Sequence, residues 1–198
     1  MNLTPNPARR SEKSQQAILA AALALCIERG YARVTIEAIA ARAGVSKKTI
    51  YRWWPSKGAL VLEALDDAVI RTRPFPDTGD LAADLHAQMT GVVRLLAHPP
   101  LGPAYAGILT EIQYDDELAR TVQEQFIDPR LKGATSRLRS AQEQGVLPMD
   151  ADLDLAVELL YGPLYYRHSL RRRPYDAEEI TWLIAHVLRA MGATAGGA

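Results

Sequence analysis

Thr35–Leu60 reads TIEAIAARAGVSKKTIYRWWPSKGAL, and this stretch decides the fold. Ile36, Ile39, Ala40 and Ala43 recur on one face at helical spacing. Thr35 stands where a helix N-cap is wanted, and Gly44 can take the left-handed conformation that ends a helix. Ser46 then caps a second short helix with Ile50 turned inward, and Pro55-Ser56-Lys57 opens a third. A helix, a tight turn containing glycine and a second helix describe a helix-turn-helix. In that motif the first residues of the second helix reach the major groove of duplex DNA. Here they are Lys47, Lys48, Thr49, Tyr51 and Arg52, all hydrogen-bond donors. Thr35, Ser46, Trp53 and Lys57 flank them and complete the candidate DNA-binding set. A lysine at a helix start opposes the macrodipole, so Lys57 suits a DNA phosphate better than it suits its own helix.

The charge pattern agrees. The net charge of zero conceals ten Lys/Arg against three Asp/Glu in residues 1–60, and thirteen against twenty in the rest. A basic head on an acidic body fits a DNA-binding module joined to one that does not bind DNA.

At these residues the chain resembles the TetR family of bacterial regulators. The resemblance rests on Gly30, Tyr31 and Thr35, Ile39-Ala40, Ala43-Gly44-Val45-Ser46, Thr49-Ile50-Tyr51, and Ser56-Lys57 followed by Leu60. It covers roughly residues 14–62. Two positions depart from the family pattern. Trp53-Trp54 stands where the family often has His or Tyr followed by Phe, which keeps the aromatic character and implies a buried Trp54. Gly58 replaces a residue that is commonly acidic, which removes a carboxylate from the first turn of its helix.

Beyond the motif the apolar residues keep helical spacing, and the expected fold is all-α with about nine helices. Residues 1–10 read as a flexible basic arm and residues 11–72 as a helix-turn-helix domain with a connecting helix from Lys57 to Thr72. Residues 80–192 read as a helical regulatory and dimerisation domain, and 193–198 as a disordered tail. The break at 73–79, RPFPDTG, is the boundary. Pro129 is expected to kink or split the seventh helix, and Gly162-Pro163 to disturb the eighth. Asp176 and Glu179 form a capping-box-like pair before the ninth.

The resemblance implies a ligand pocket among the middle helices. Its candidate lining is His86, Met89, Val93, Tyr105, Ile108, Leu109, Ile112, Phe126, Tyr161 and Tyr165, with Arg94 and Gln113 as further polar anchors. This lining implies a mainly apolar small-molecule effector. The resemblance also implies that the last two helices pair with their copies in a homodimer. Leu164, Ile180, Leu183, Ile184, Val187, Leu188 and Met191 are the candidate interface. A dimer presents two heads to the two halves of a pseudo-palindromic operator.

No run of about 18 apolar residues suggests a membrane span. One cysteine fits a cytoplasmic setting, and the N-terminus lacks the apolar centre of a signal peptide. His86, His98, His168 and His186 lack metal-ligand spacing, and no catalytic set or cofactor motif assembles. Arg171-Arg172-Arg173 reads as a solvated loop. The expected function is a ligand-responsive transcriptional regulator, a repressor released from its operator by a small molecule. The alternative is a small-molecule-binding protein or enzyme whose helical head is only structural.

Overall fold

The computed structural model describes residues 7–67, 75–99 and 101–194, and among them the chain is all-α. Ten α-helical segments follow in order. They are α1 (Pro7–Arg29), α2 (Ile36–Ala43), α3 (Lys47–Tyr51), α4 (Lys57–Leu65), α5 (Leu81–Ala97), α6 (Leu101–Glu111), α7 (Asp116–Val122), α8 (Asp128–Glu143), α9 (Leu153–Tyr166) and α10 (Ala177–Ala190). A π turn, Gln123–Ile127, follows α7 in the chain and precedes α8, and with that run counted once the described residues hold nine helices. Pro129 follows that turn in the first turn of α8, where its missing N–H costs little. The expected kink is therefore met by a wider turn just before the proline. Pro163 lies within α9 and does not end it; a second π turn, Arg167–Arg171, follows the helix instead.

The chain forms two compact units, Met1–Arg71 with Pro99–Val122, and Thr72–His98 with Gln123–Ala198. In the first, α1 packs on α2 and α4, while α6 and α7 also pack on α4. This explains the composition of α4, where Gly58, Ala59, Leu60, Val61, Leu62, Ala64 and Leu65 are all buried. A helix apolar all round is one enclosed on every side. Gly58, the departure from the family pattern, has a packing reason. A Cβ there would come within 2.5 Å of Leu118 Cδ2, so the glycine makes room for a buried leucine of α7. Helix α1 starts at Pro7, earlier than expected, because proline suits a first turn. Met1–Asn6 of the expected arm lies outside the described residues, as does 68–72 of the expected connecting helix.

In the second unit, α10 packs on α5 and α9, and α8 packs on α5 and α9. Leu81, Leu85 and Met89 of α5 are buried with Leu138 of α8, Leu160 of α9, and Ile180 and Ile184 of α10. The capping box before α10 is complete, with Asp176 accepting from the Glu179 N–H and Glu179 accepting from the Asp176 N–H. At the C-terminus, Ala193 N–H donates to Leu188 and Thr194 N–H to Val146, so these two residues of the expected tail are tied down. Residues 195–198 lie outside the described set.

Candidate nucleic-acid interface

Three short helices begin on the basic part of the first unit, each capped by a hydroxyl. Thr35 accepts from Ala38 N–H, Ser46 from Thr49 N–H and Ser56 from Ala59 N–H, each at 3.2 Å. Such caps contribute about 1 kcal/mol each. Gly44 ends α2 at φ 66°, the left-handed conformation its position requires. Ile50, fully buried, is the anchor of α3.

The candidate DNA-binding residues surround this frame, but not all are equally available. Lys48, Tyr51 and Arg52 are exposed. The Arg52 guanidinium lies 4.8 Å from the Trp53 ring centroid, an arrangement that limits where it can swing. Lys47 is exposed but reaches back to Glu37 of α2, Nζ to Oε1 at 2.9 Å. The Glu37 carboxylate raises the Lys47 ammonium pKa, and Lys47 lowers that of Glu37. Ser46 and Thr49 hydroxyls face each other at 3.0 Å, and together with Thr35 they serve the helix starts. Trp53 is half-buried and meets Trp54 edge to face, with centroids 5.5 Å apart. Trp54 is buried, and its Nε1 donates to Glu63 at 2.7 Å. Lys57, half-buried, stands over the Tyr31 ring, 4.1 Å from its centroid. Tyr31 in turn donates its hydroxyl to Glu111 of α6. In the sequence Tyr31 stands only as part of a motif, and its partner lies too far along the chain for any local pattern to reveal.

The expected ligand residues divide between the two units. Tyr105 and Ile108 are buried in the first, with Leu109 and Ile112 half-buried. Met89 and Phe126 are buried in the second, with His86, Val93, Tyr161 and Tyr165 half-buried. The Arg130 guanidinium lies over the Phe126 ring, 3.4 Å from its centroid. Of the ten, His86 lines a shallow groove of about 450 Å³ between α5 and α10, with Ala82, Ala83, Ala87, Thr181, Ile184 and Ala185. His86 Nε2 lies 3.2 Å from the Ala177 carbonyl.

The expected interface residues lie mostly inside their own chain. Leu164, Ile180, Leu183, Ile184, Val187 and Leu188 are buried within their own chain, where they join α9 and α10 to each other and to α5. Met191 is half-buried. Side chains already enclosed have little surface left for a partner. The large apolar side chains that do face outward on these helices are Leu155, Leu159, Tyr166 and Trp182, at 46%, 40%, 51% and 63% exposure. Leu155, Leu159 and Tyr166 follow one helical face, and Trp182 stacks on His186 with centroids 3.8 Å apart. In the arginine run, Arg173 pairs with Glu179 at 2.7 Å, and Arg172 takes a left-handed conformation at φ 49°.

The sequence missed a buried ion pair in the second unit. Asp84 of α5 and Arg137 of α8 are each almost wholly enclosed, and Thr78 donates both its N–H and its hydroxyl to Asp84. An aspartate between Leu81 and Leu85 on an apolar stripe was the one available sign.

Comparison with known proteins agrees over most of the chain. Residues 18–64 match the family described as bacterial regulatory proteins, tetR family, and residues 75–187 match the tetracyclin repressor-like C-terminal domain. The chain is 34% identical over 181 residues to the DNA-binding transcriptional repressor TetR of Mycobacteroides abscessus, covering 90% of this chain and 94% of that one. It is similar to the crystal structure of the TetR family transcription regulator SCO0332, with 36% identity, a TM-score of 0.78, and 89% and 97% of the two chains covered. It is also similar to the flavonoid-responsive regulator FrrA, with 25% identity, a TM-score of 0.64, and 91% and 95% covered. The matched families and relatives are transcriptional regulators, not enzymes.

Proposed function

Given that the chain belongs to the TetR family of bacterial regulatory proteins, we propose that it is a repressor that binds a pseudo-palindromic operator as a homodimer and is released by a small molecule. The observation that carries this reading is the outward-facing set Lys48, Tyr51 and Arg52 on a helix anchored by Ile50 and set between three capped helix starts. Free N–H groups at helix starts and nearby cations suit phosphates, while Lys48 and Arg52 suit base edges. Thr35, Ser46, Lys47, Thr49, Trp53 and Lys57 complete the contact surface, with the hydroxyls acting mainly through the caps. Residues 11–72 act as the reading head and 80–192 as the regulatory and dimerisation part. The repressor named in Mycobacteroides abscessus supports the sign of regulation.

The homodimer reading is supported by the exposed Leu155, Leu159, Tyr166 and Trp182 on the last two helices. Large apolar side chains left exposed on a folded domain suit a partner, and a second copy supplies two heads for two half-sites. Release by a small molecule is supported by the flavonoid-responsive relative and by the apolar character of the candidate lining. The effector is accordingly mainly apolar with one or two polar groups. The cytoplasm is the proposed place of action. No helix among the described residues is long and apolar enough to cross a membrane, and the one cysteine, Cys26, is buried and free.

The test is direct. The purified protein is titrated onto a labelled duplex from upstream of its own coding sequence and onto random duplex, at moderate salt. A marked preference for the first is expected, with affinity falling steeply as salt rises. Equal affinity for both duplexes sinks the reading. A thermal-shift ligand screen followed by operator release then tests the effector. Linkage requires saturating operator to weaken ligand binding by the same factor that ligand weakens operator binding.

A further inference from the structure

We propose that Tyr31 is a positioning residue for Lys57, with Glu111 fixing Tyr31, so that the phosphate contact offered at the start of α4 is held from α6. This rests on the DNA-binding reading above and assigns a role to two residues outside the reading helix.

Tyr31 follows Gly30, whose φ of 74° turns the chain out of α1, and opens the short 3-10 turn Tyr31–Arg33. The residue is 7% exposed. The ring is seated directly against the α6 backbone at Gly107, where a Cβ would come within 2.5 Å of Tyr31 Cδ1. One helical turn further along α6, Glu111 accepts the Tyr31 hydroxyl. Burial, and then the Glu111 carboxylate, push the phenol well above its ordinary range, so it stays a donor. Ring position is thus fixed at both ends by one helix.

Lys57 is the first residue of α4, with its ammonium 4.1 Å from the Tyr31 ring centroid. A cation there is disfavoured by the helix macrodipole. The ring face offsets this with its own negative potential, which an anionic acceptor on the phenol strengthens. A lysine on a flexible four-carbon stem would otherwise sweep a wide arc, and every lost rotamer weakens a phosphate contact. A tyrosine that merely filled space would need no hydroxyl. Here the hydroxyl meets a carboxylate eighty residues away in the chain.

The test is a double-mutant cycle on operator affinity in the full-length protein, read by anisotropy with the duplex from its own upstream region. Tyr31→Phe keeps the ring and removes its tether; Glu111→Gln removes the charge. Each is expected to weaken operator binding about 3- to 10-fold in the native background and less than about 2-fold in the Lys57→Ala background, because coupled residues are non-additive. Equal losses in both backgrounds, or no loss in the first, overturn the proposal. If Tyr31→Phe does not fold, as judged by its melt, Glu111→Gln alone decides the cycle. A second readout needs no DNA. The Lys57 side-chain methylene protons beside Nζ should show an upfield ring-current shift by NMR that Glu111→Gln reduces. Absence of that shift, or its survival unchanged, overturns the proposal. A native protein that does not prefer its operator sinks the DNA-binding reading itself, whereas an additive cycle on a well-bound operator sinks only the relay.

Discussion

Asp84 and Arg137 meet inside the second unit, Oδ2 to Nε at 2.7 Å, with each side chain about 1% exposed. Asp77 adds a longer contact to the same Nε at 3.3 Å. Thr78 closes the arrangement with its N–H at 3.0 Å and its hydroxyl at 2.7 Å from the Asp84 carboxylate. The pair therefore ties α5 to α8 and fixes the turn that precedes α5.

Removing Asp84 leaves the buried Arg137 with only its longer contact to the half-exposed Asp77. Asp84→Ala is expected to cost about 3–5 kcal/mol of stability, and Asp84→Leu with Arg137→Met to recover a large part of it. Urea denaturation of the three proteins at neutral pH checks both figures. A double variant no more stable than Asp84→Ala would show that the pair was not the cause.

The same carboxylate gives a pH dependence of known sign. Burial pushes the Asp84 carboxyl up, but hydrogen bonds from Thr78 and Arg137 outweigh it and hold it below its usual range. Its contribution is complete above the unfolded carboxylate value of about 3.9 and is lost as pH falls through the depressed folded value. Melts from pH 7 down to pH 2 should show Asp84→Asn losing less stability on acidification than the native protein.

Gly58 lies in a helix, where alanine would ordinarily add about 1 kcal/mol. Here the added methyl meets Leu118 Cδ2 at 2.5 Å in a buried site. Gly58→Ala is expected to destabilise by about 1–3 kcal/mol. Paired with Leu118→Ala it should cost less than the sum of the two single changes, as a chemical-denaturation cycle would reveal.

The basic residues of α3 and of its C-cap, Arg52, should differ in their effect on DNA binding. Lys48→Ala and Arg52→Ala are expected to relax discrimination at particular base pairs by roughly 1–3 kcal/mol each. Lys47, already paired with Glu37, should matter less. Affinities for single-base operator variants decide; a Lys47→Ala loss equal to that of Arg52→Ala would contradict the ranking.

Two glutamate substitutions separate assembly from folding. Leu159→Glu acts on an exposed side chain and should yield folded monomers, whereas Ile184→Glu buries a charge in the subunit and should unfold it. Light scattering and circular dichroism together distinguish the two outcomes. A native protein that is monomeric at micromolar concentration removes the homodimer reading.

The elements set by local chemistry were legible in the sequence. Thr35, Ser46 and Asp176 announce helix starts because their caps reach only three residues onward. Gly44 announces an end because few other residues tolerate its φ. Long-range pairs were not legible. Nothing near Tyr31 points to Glu111, and nothing near Asp84 points to Arg137, 53 residues away. Nothing near Lys47 points to its ion pair with Glu37, ten residues back. The apolar stripe of α10 was visible, but a stripe does not say which neighbour buries it. For Ile180 and Ile184 the neighbour is the same chain, and the outward apolar face lies on Leu155, Leu159, Tyr166 and Trp182.

Of the five residues of α3, Ile50 alone is buried. One aliphatic anchor holds the helix in place, so the exposed positions Lys47, Lys48 and Tyr51 can be exchanged at little cost to folding. Most surface substitutions change stability by no more than about 0.5 kcal/mol, whereas a changed base contact alters discrimination by about 1–3 kcal/mol. Under the proposed operator-binding role, target choice is therefore free to drift faster than architecture, and a small library confined to Lys47, Lys48 and Tyr51 should retain folded members while sampling new operators.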